Sequence, residues 1–183
     1  MIEFTPACRQ MATLVRAVTD DALRMPTPCA NYDVAELIEH IDMVSQGFAA
    51  LARRDPVNTP AADEHVTTDP GWRVTVCDHL LDLADAWRDP AAWQGDTNAG
   101  DVHLANETWA LVALTEVIVH GWDLARATGE ALDLPEALLH TCLSHVASFV
   151  PNAPVASLWG PAVPVPDDAP VIDHIVAITG RRP

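Results

Sequence analysis

Trp109-Ala-Leu-Val-Ala-Leu-Thr-Glu-Val-Ile-Val-His-Gly-Trp122 is apolar on every side except at Thr115, Glu116 and His120. Such a stretch reads as a buried helix with a carboxylate and an imidazole set into it. At 3.6 residues per turn, Glu116 and His120 stand one above the other on the same face. An unpaired buried charge costs several kcal/mol, so the pair needs a compensating partner, for which a divalent metal is the best candidate. The alternative is a hydrogen-bonded Glu–His pair without an ion. The common reading of such spacing, a pair of surface neighbours, loses force because Leu111, Val112, Leu114, Val117, Ile118, Val119 and Leu124 leave little room for an exposed face.

The helix runs from about Ala105 to Thr128, with Gly129 as a left-handed stop. Upstream, Thr5-Pro6 opens a first helix over about 6–23, carrying Met11, Leu14, Val15, Val18 and Leu23 at helical spacing. Met25-Pro26-Thr27-Pro28-Cys29 cannot continue it, because each proline removes a donor and restricts its predecessor. Asp33 and Glu36 form a capping-box pair for a second helix, whose stripe is Val34, Leu37, Ile38, Ile41, Val44 and Phe48 and which fades near Arg54-Asp55-Pro56. Residues 55–73 read as a long loop, and Thr75 as the cap of a third helix that stops at Asp89-Pro90. A second irregular stretch with Gly95, Asn98 and Gly100 leads to the central helix.

A fifth, shorter helix follows Pro135 and ends near Phe149. Six prolines then occur between Pro151 and Pro170, and Ala162-Val163-Pro164-Val165-Pro166 reads as an extended strip or at most a small edge strand. Asp168-Ala169-Pro170 starts a last helix closed by Gly180. With strand signals nearly absent, the expectation is an all-α protein: a four-helix bundle with an additional short helix and a Pro-rich C-terminal extension. It is read as one domain over 1–183, the bundle in 1–150 and the tail, 151–183, packed on it.

A chain of 183 residues buries a full core without metal or disulfide staples, so an ion here is more a functional than a structural device. The net charge of −16, from 26 acidic and 10 basic side chains, repels phosphate backbones and anionic lipid, which argues against nucleic acid and membrane surfaces as partners. No run reaches the roughly 20 apolar residues of a membrane span, and the start has no basic lead, so a cytoplasmic protein is expected. Cys8, Cys29, Cys77 and Cys142 lack CxxC spacing and read as free thiols.

An open metal site takes three protein ligands, of which Glu116 and His120 are two. The third is sought among His40, His79, His103, His140 and His145, since His65 falls in a loop and His174 in the tail. His40 and His79 hold similar flank positions on helices two and three, and periodicity does not separate them. Asp123 is placed to orient His120 or to pair with Arg126, and the ion pair is preferred. Cys29, just ahead of helix two, reads as a small buried residue in a Pro-rich turn, a reactive thiol being the alternative. The six tryptophans read as core and lid.

Met25-Pro-Thr-Pro-Cys29, Tyr32-Asp-Val34, Leu37-Ile-Glu-His40, Glu116-Val-Ile-Val-His-Gly-Trp-Asp-Leu-Ala-Arg-Ala-Thr-Gly129, Trp159-Gly-Pro161 and the closing Gly180-Arg-Arg-Pro183 together carry a resemblance. Nearly the whole chain resembles the metal-binding domain family of mycothiol-dependent maleylpyruvate isomerase, within the DinB-like (YfiT-like) superfamily, and looks most like its stand-alone actinobacterial branch. The resemblance implies a DinB-like bundle and a divalent metal held by His40, Glu116 and His120, usually zinc, with nickel, iron or manganese also compatible. It implies mycothiol or a similar small thiol as cosubstrate, attacking a small electrophile. A hydrolase is the variant in which hydroxide replaces the thiolate. The isomerase also has a second domain, and here only a Pro-rich tail follows the bundle, so maleylpyruvate isomerisation itself is not expected. Tyr32 stands where the family often has Trp, which changes packing more than chemistry. The alternative function is a non-catalytic metal or small-ligand binder whose fourth ligand position is blocked, by Cys29 or Glu36. Pairing of bundles through an exposed helix face makes a homodimer an expected assembly.

Overall fold

The computed structural model describes residues 1–55, 65–154 and 159–183. Among them, α1 spans Thr5–Ala17, α2 Val34–Arg53, α3 Trp72–Ala86, β1 Asp96–Ala99, β2 Val102–Ala105, α4 Asn106–Thr128, α5 Glu136–Phe149 and α6 Val171–Ile178. They form two compact units, Met1–Leu132 and Asp133–Pro183.

In the first unit α1 packs on α3 and α4, and α2 packs on the same two helices. The four therefore close a ring in the order α1, α3, α2, α4, around a core that includes Leu14, Leu37, Ile38, Ile41, Leu80, Leu114 and Ile118. α4 is buried along most of its length, as its sequence requires, and Gly129 ends it at φ 75° with its N–H on the Ala125 carbonyl. At Gly121, where α4 meets α1, an added Cβ would stand in ordinary contact with the Leu132 and Met11 side chains, 3.4 and 3.6 Å away. The capping box of α2 is formed: Glu36 N–H donates to Asp33 and Asp33 N–H donates back to the Glu36 carboxylate, each at 2.9 Å.

Three expected boundaries differ. α1 ends at Ala17, and Asp20–Arg24 is a separate 3₁₀ turn. Two aspartates at the negative end of a helix would oppose its dipole, and Arg73 instead donates to the Val18 carbonyl at 2.9 Å and holds Asp20 at 2.6 Å. α3 starts at Trp72 rather than at Thr75, with Gly71 before it. Of the expected 55–73 loop, Val66–Thr68 is a 3₁₀ turn, and 56–64 lie outside the described residues.

The chain is mostly helical rather than wholly so. The stretch read as irregular holds an antiparallel hairpin, in which Asp96 pairs with Ala105 and Ala99 with Val102 around Gly100 at φ 57°. The hairpin is tied to the start of α4: Trp109 Nε1 donates to the Thr97 carbonyl at 2.9 Å, and buried Asn106 donates to the carbonyls of Ala92 and Gln94.

In the second unit α5 packs on α6. The strip at 161–166 is extended without forming a strand, and Val163 N–H donates to the Ala177 carbonyl at 2.9 Å. His145, 7% exposed, stacks on Phe149 with ring centroids 4.8 Å apart. Burial pushes its pKa down to about 4. Below the ordinary value near 6.5 the unfolded chain takes up a proton that the folded chain refuses, so stability falls as pH drops through this window. The expected loss between pH 8 and pH 5 is about 2 kcal/mol. Urea midpoints of His145→Gln and the parent at the two pH values check this, the variant losing less on acidification by that amount.

Candidate metal centre

α2 carries His40 and α4 carries Glu116, His120 and Asp123, the last three on one stripe at spacings of four and three. Packing of α2 on α4 brings the two together. His40 Nε2 lies 3.2 Å and His120 Nε2 3.1 Å from the same oxygen, Glu116 Oε2. The two imidazoles meet edge to face with centroids 4.7 Å apart, and Tyr32 stacks on the outer side of His40 at 5.2 Å. These three donor groups are among the described residues able to surround one cation.

On its other edge, His120 Nδ1 faces Asp123 Oδ2 at 3.0 Å, with Asp123 fully buried. This replaces the expected Asp123–Arg126 ion pair: Asp123 points into the core, while the Arg126 guanidinium lies over the Trp122 ring at 5.6 Å. Burial works against the charged form of Glu116, but hydrogen bonds from His120 and His40 outweigh it and hold the carboxyl well below the usual range. Burial likewise opposes protonation of His120, yet Asp123 and Glu116 push its pKa up to about 9. Two carboxylates, Glu116 nearly buried and Asp123 fully so, therefore demand positive charge around one ring. A protonated His120 leaves Glu116, His120 and Asp123 at a net −1, whereas a divalent cation with neutral imidazoles brings the same groups to zero.

The donor set fits such an ion. Two nitrogens and one carboxylate oxygen are the ligands of open zinc sites, and donors about 2.1 Å from a tetrahedral ion stand about 3.4 Å apart, near the 3.1 and 3.2 Å observed. Asp123 supplies the carboxylate that orients a ligating imidazole from behind.

The other candidates lie elsewhere. His79 Nδ1 pairs with Asp42 at 2.7 Å, His103 with Asn98 at 2.6 Å in the hairpin, and His140 faces Glu136 on the exposed side of α5 at 3.6 Å. Glu39, next to His40, accepts from the backbone of Val66 and Thr67 at 2.7 and 2.8 Å and fastens that turn to α2. Glu36 belongs to the capping box.

Cys29 is half-buried, and its sulfur lies within 4.8 Å of donor atoms of His120 and Asp123; the blocked-site alternative names Cys29 near the ion, but residue spacing does not announce its grouping with Asp123. It is held there by a turn in which the Thr27 hydroxyl reaches the carbonyls of Cys29 and Tyr32 at 3.0 and 2.7 Å. Cys29, Tyr32 and Glu36 line a surface groove of about 310 Å³, together with Arg24, Thr27 and Asp33.

The sequence model of the mycothiol maleylpyruvate isomerase N-terminal domain family matches residues 4–125, a span that contains all four helices of the ring nearly whole and every donor described above. The chain belongs to this family. The mycothiol maleylpyruvate isomerase N-terminal domain family is a mycothiol-related, metal-binding one, and the His40, Glu116 and His120 groups lie within the part of the chain that carries the match. Two uncharacterized proteins of Mycobacterium tuberculosis, one from strain CDC 1551 / Oshkosh and one from strain ATCC 25618 / H37Rv, are each 28% identical over 179 residues, covering 93% of this chain and 91% of theirs. No solved structure matches the chain. Among the described residues, no helix is long and apolar enough to cross a membrane.

Proposed function

We propose that the chain holds a divalent cation, zinc first among them, through His40, Glu116 and His120 in a DinB-like bundle. On this reading it is a transferase that directs a small thiol of the mycothiol type onto an electrophile. The observation that carries it is the convergence of two imidazole nitrogens on one part-buried carboxylate oxygen, with a second, fully buried carboxylate behind. An ion bound there supplies the positive charge that favours the thiolate form of an incoming thiol.

The chain's own residues do the rest. Asp123 accepts from Nδ1–H of His120 and so keeps Nε2 unprotonated and aimed at the ion. Tyr32 packs on His40 and limits its rotation. The groove beside Cys29 and Tyr32 is the approach for the thiol, whose sulfur releases its proton to solvent and forms the C–S bond as the electrophilic carbon gives up a leaving group with its bonding pair or, in an activated double bond, passes the π pair to the neighbouring carbon, which then takes up a proton. Arg24 is the cation of that groove, which suits a thiol or electrophile bearing a carboxylate.

The test is metal analysis of purified protein, followed by X-ray absorption at the zinc edge with and without mycothiol, in a Cys29→Ala background so that sulfur in the shell comes from the added thiol. In that Cys29→Ala background about one equivalent of metal and, with the thiol, a new sulfur scatterer near 2.3 Å are expected. Far less than one equivalent, unchanged in His40→Ala, would overturn the reading.

A further inference from the structure

His120 is presented with anionic groups on both edges of its ring. Nε2 faces Glu116 and, beyond it, His40; Nδ1 faces Asp123 at 3.0 Å, and the Cys29 sulfur joins His120 and Asp123 in a cluster whose donor atoms all lie within 4.8 Å of one another. Cys29 is also the reachable thiol of the chain, because Cys8, Cys77 and Cys142 are 0% exposed, while Cys29 is half-buried and lines the groove. An ion arriving from the groove thus meets the Cys29 sulfur first, with the buried nitrogen of His120 and carboxylate oxygen of Asp123 behind it.

We propose that Cys29, His120 and Asp123 form a second cation site, selective for zinc-like ions that accept thiolate and imidazole, next to the first and sharing the His120 ring with it. A thiolate disfavours magnesium and calcium, which take oxygen donors, and favours zinc or cobalt. Three protein donors leave a position open toward the groove, as in catalytic rather than structural sites. Metal ligation takes the protons of the Cys29 thiol and of His120 Nδ1, both released to solvent. Two dications are then matched by Glu116, Asp123, the Cys29 thiolate and the His120 imidazolate, so the buried set remains neutral at the second stage as at the first. Asp123 turns from hydrogen-bond acceptor into ligand, which needs only a small movement of a carboxylate already 3.0 Å from the ring.

The proposal rests on the preceding reading only through the shared ring, and the two fail differently. The full-length chain, stripped with chelator, is titrated with Co²⁺ and followed by absorption. Two equivalents are expected, one of them raising a thiolate-to-cobalt charge-transfer band in the near ultraviolet. Cys29→Ala, which removes a single sulfur atom, should abolish the band and one equivalent; Asp123→Asn should weaken the band-bearing equivalent at least about tenfold. His40→Ala should remove one equivalent and keep the band. One equivalent without the band overturns the second site and leaves the first intact. A band that needs both His40 and Cys29 at one equivalent shows a single mixed site and also overturns it. One equivalent with a band indifferent to His40→Ala overturns the first site and upholds the second.

Discussion

In a Cys29→Ala background, which leaves His40, Glu116 and His120 as the metal-holding set, Glu116→Gln will purify with under about a tenth of the zinc carried by its Cys29→Ala parent, and its melting temperature will stop responding to chelator. The amide keeps the shape of the carboxylate but removes the only anionic donor from the His40/Glu116/His120 set. Loss of a group merely behind a ligand already costs metal affinity roughly 10–100-fold, so loss of a charged ligand costs more. In the parent, an ion present at about 100 times its dissociation constant stabilises the fold by about 2.7 kcal/mol, which for a chain of this size is roughly 5–10 °C. That difference should appear between zinc-loaded and chelator-treated parent and vanish in the variant. A parent whose melting ignores both zinc and chelator would sink the metal assignment.

Gly180→Ala will unfold the end of the chain. A Cβ at Gly180 would lie 2.6 Å from the Gly160 Cα and 2.8 Å from its carbonyl carbon, and Gly180 has φ +92°. No side chain can turn aside, because the obstacle is the backbone of another glycine. The segments must part, which adds overpacking to the strain of an L-residue at positive φ, together about 3–5 kcal/mol. Gly160→Ala is the milder partner: its Cβ would stand 3.3 Å from the Gly180 Cα at an ordinary φ, and about 1 kcal/mol is expected. Amide hydrogen exchange over Val171–Ile178 reads both, with protection lost in the first variant and largely kept in the second. Equal protection in Gly180→Ala and the parent would refute the close approach.

These two regions also mark what the sequence could tell. Elements with local signals were legible: α4 from its apolar run and Gly129, α2 from the Asp33/Glu36 box, α5 and α6 from Pro135, Pro170 and Gly180. The hairpin was not, because Asp-Thr-Asn-Ala and Val-His-Leu-Ala are short and half polar, and what holds them is the contact of Trp109 with the Thr97 carbonyl. The break after Ala17 depends on Arg73, far along the chain. At the site, the Glu116/His120 stripe follows from spacing alone. That His40 rather than His79 meets it depends on which face of α2 turns to α4, and no periodicity contains that. Cys29 is still less legible, since it reaches His120 across 91 residues through a turn with no regular pattern.

The turn that carries Cys29 is fastened at its own base, by the bridge between Pro26 and Asp33, by Val34 N–H on the Met25 carbonyl at 3.0 Å and by Thr27 within. The side chains of His40, Glu116, His120 and Asp123, by contrast, sit on helices held by the core. On the proposed function, reactivity and selectivity fall to separate pieces of chain, the helices and the turn. On that function, exchanging the residues at 24, 30 and 31 would alter what the groove admits while His40, Glu116, His120 and Asp123 keep their places, so the scaffold would be retargeted by editing a single loop.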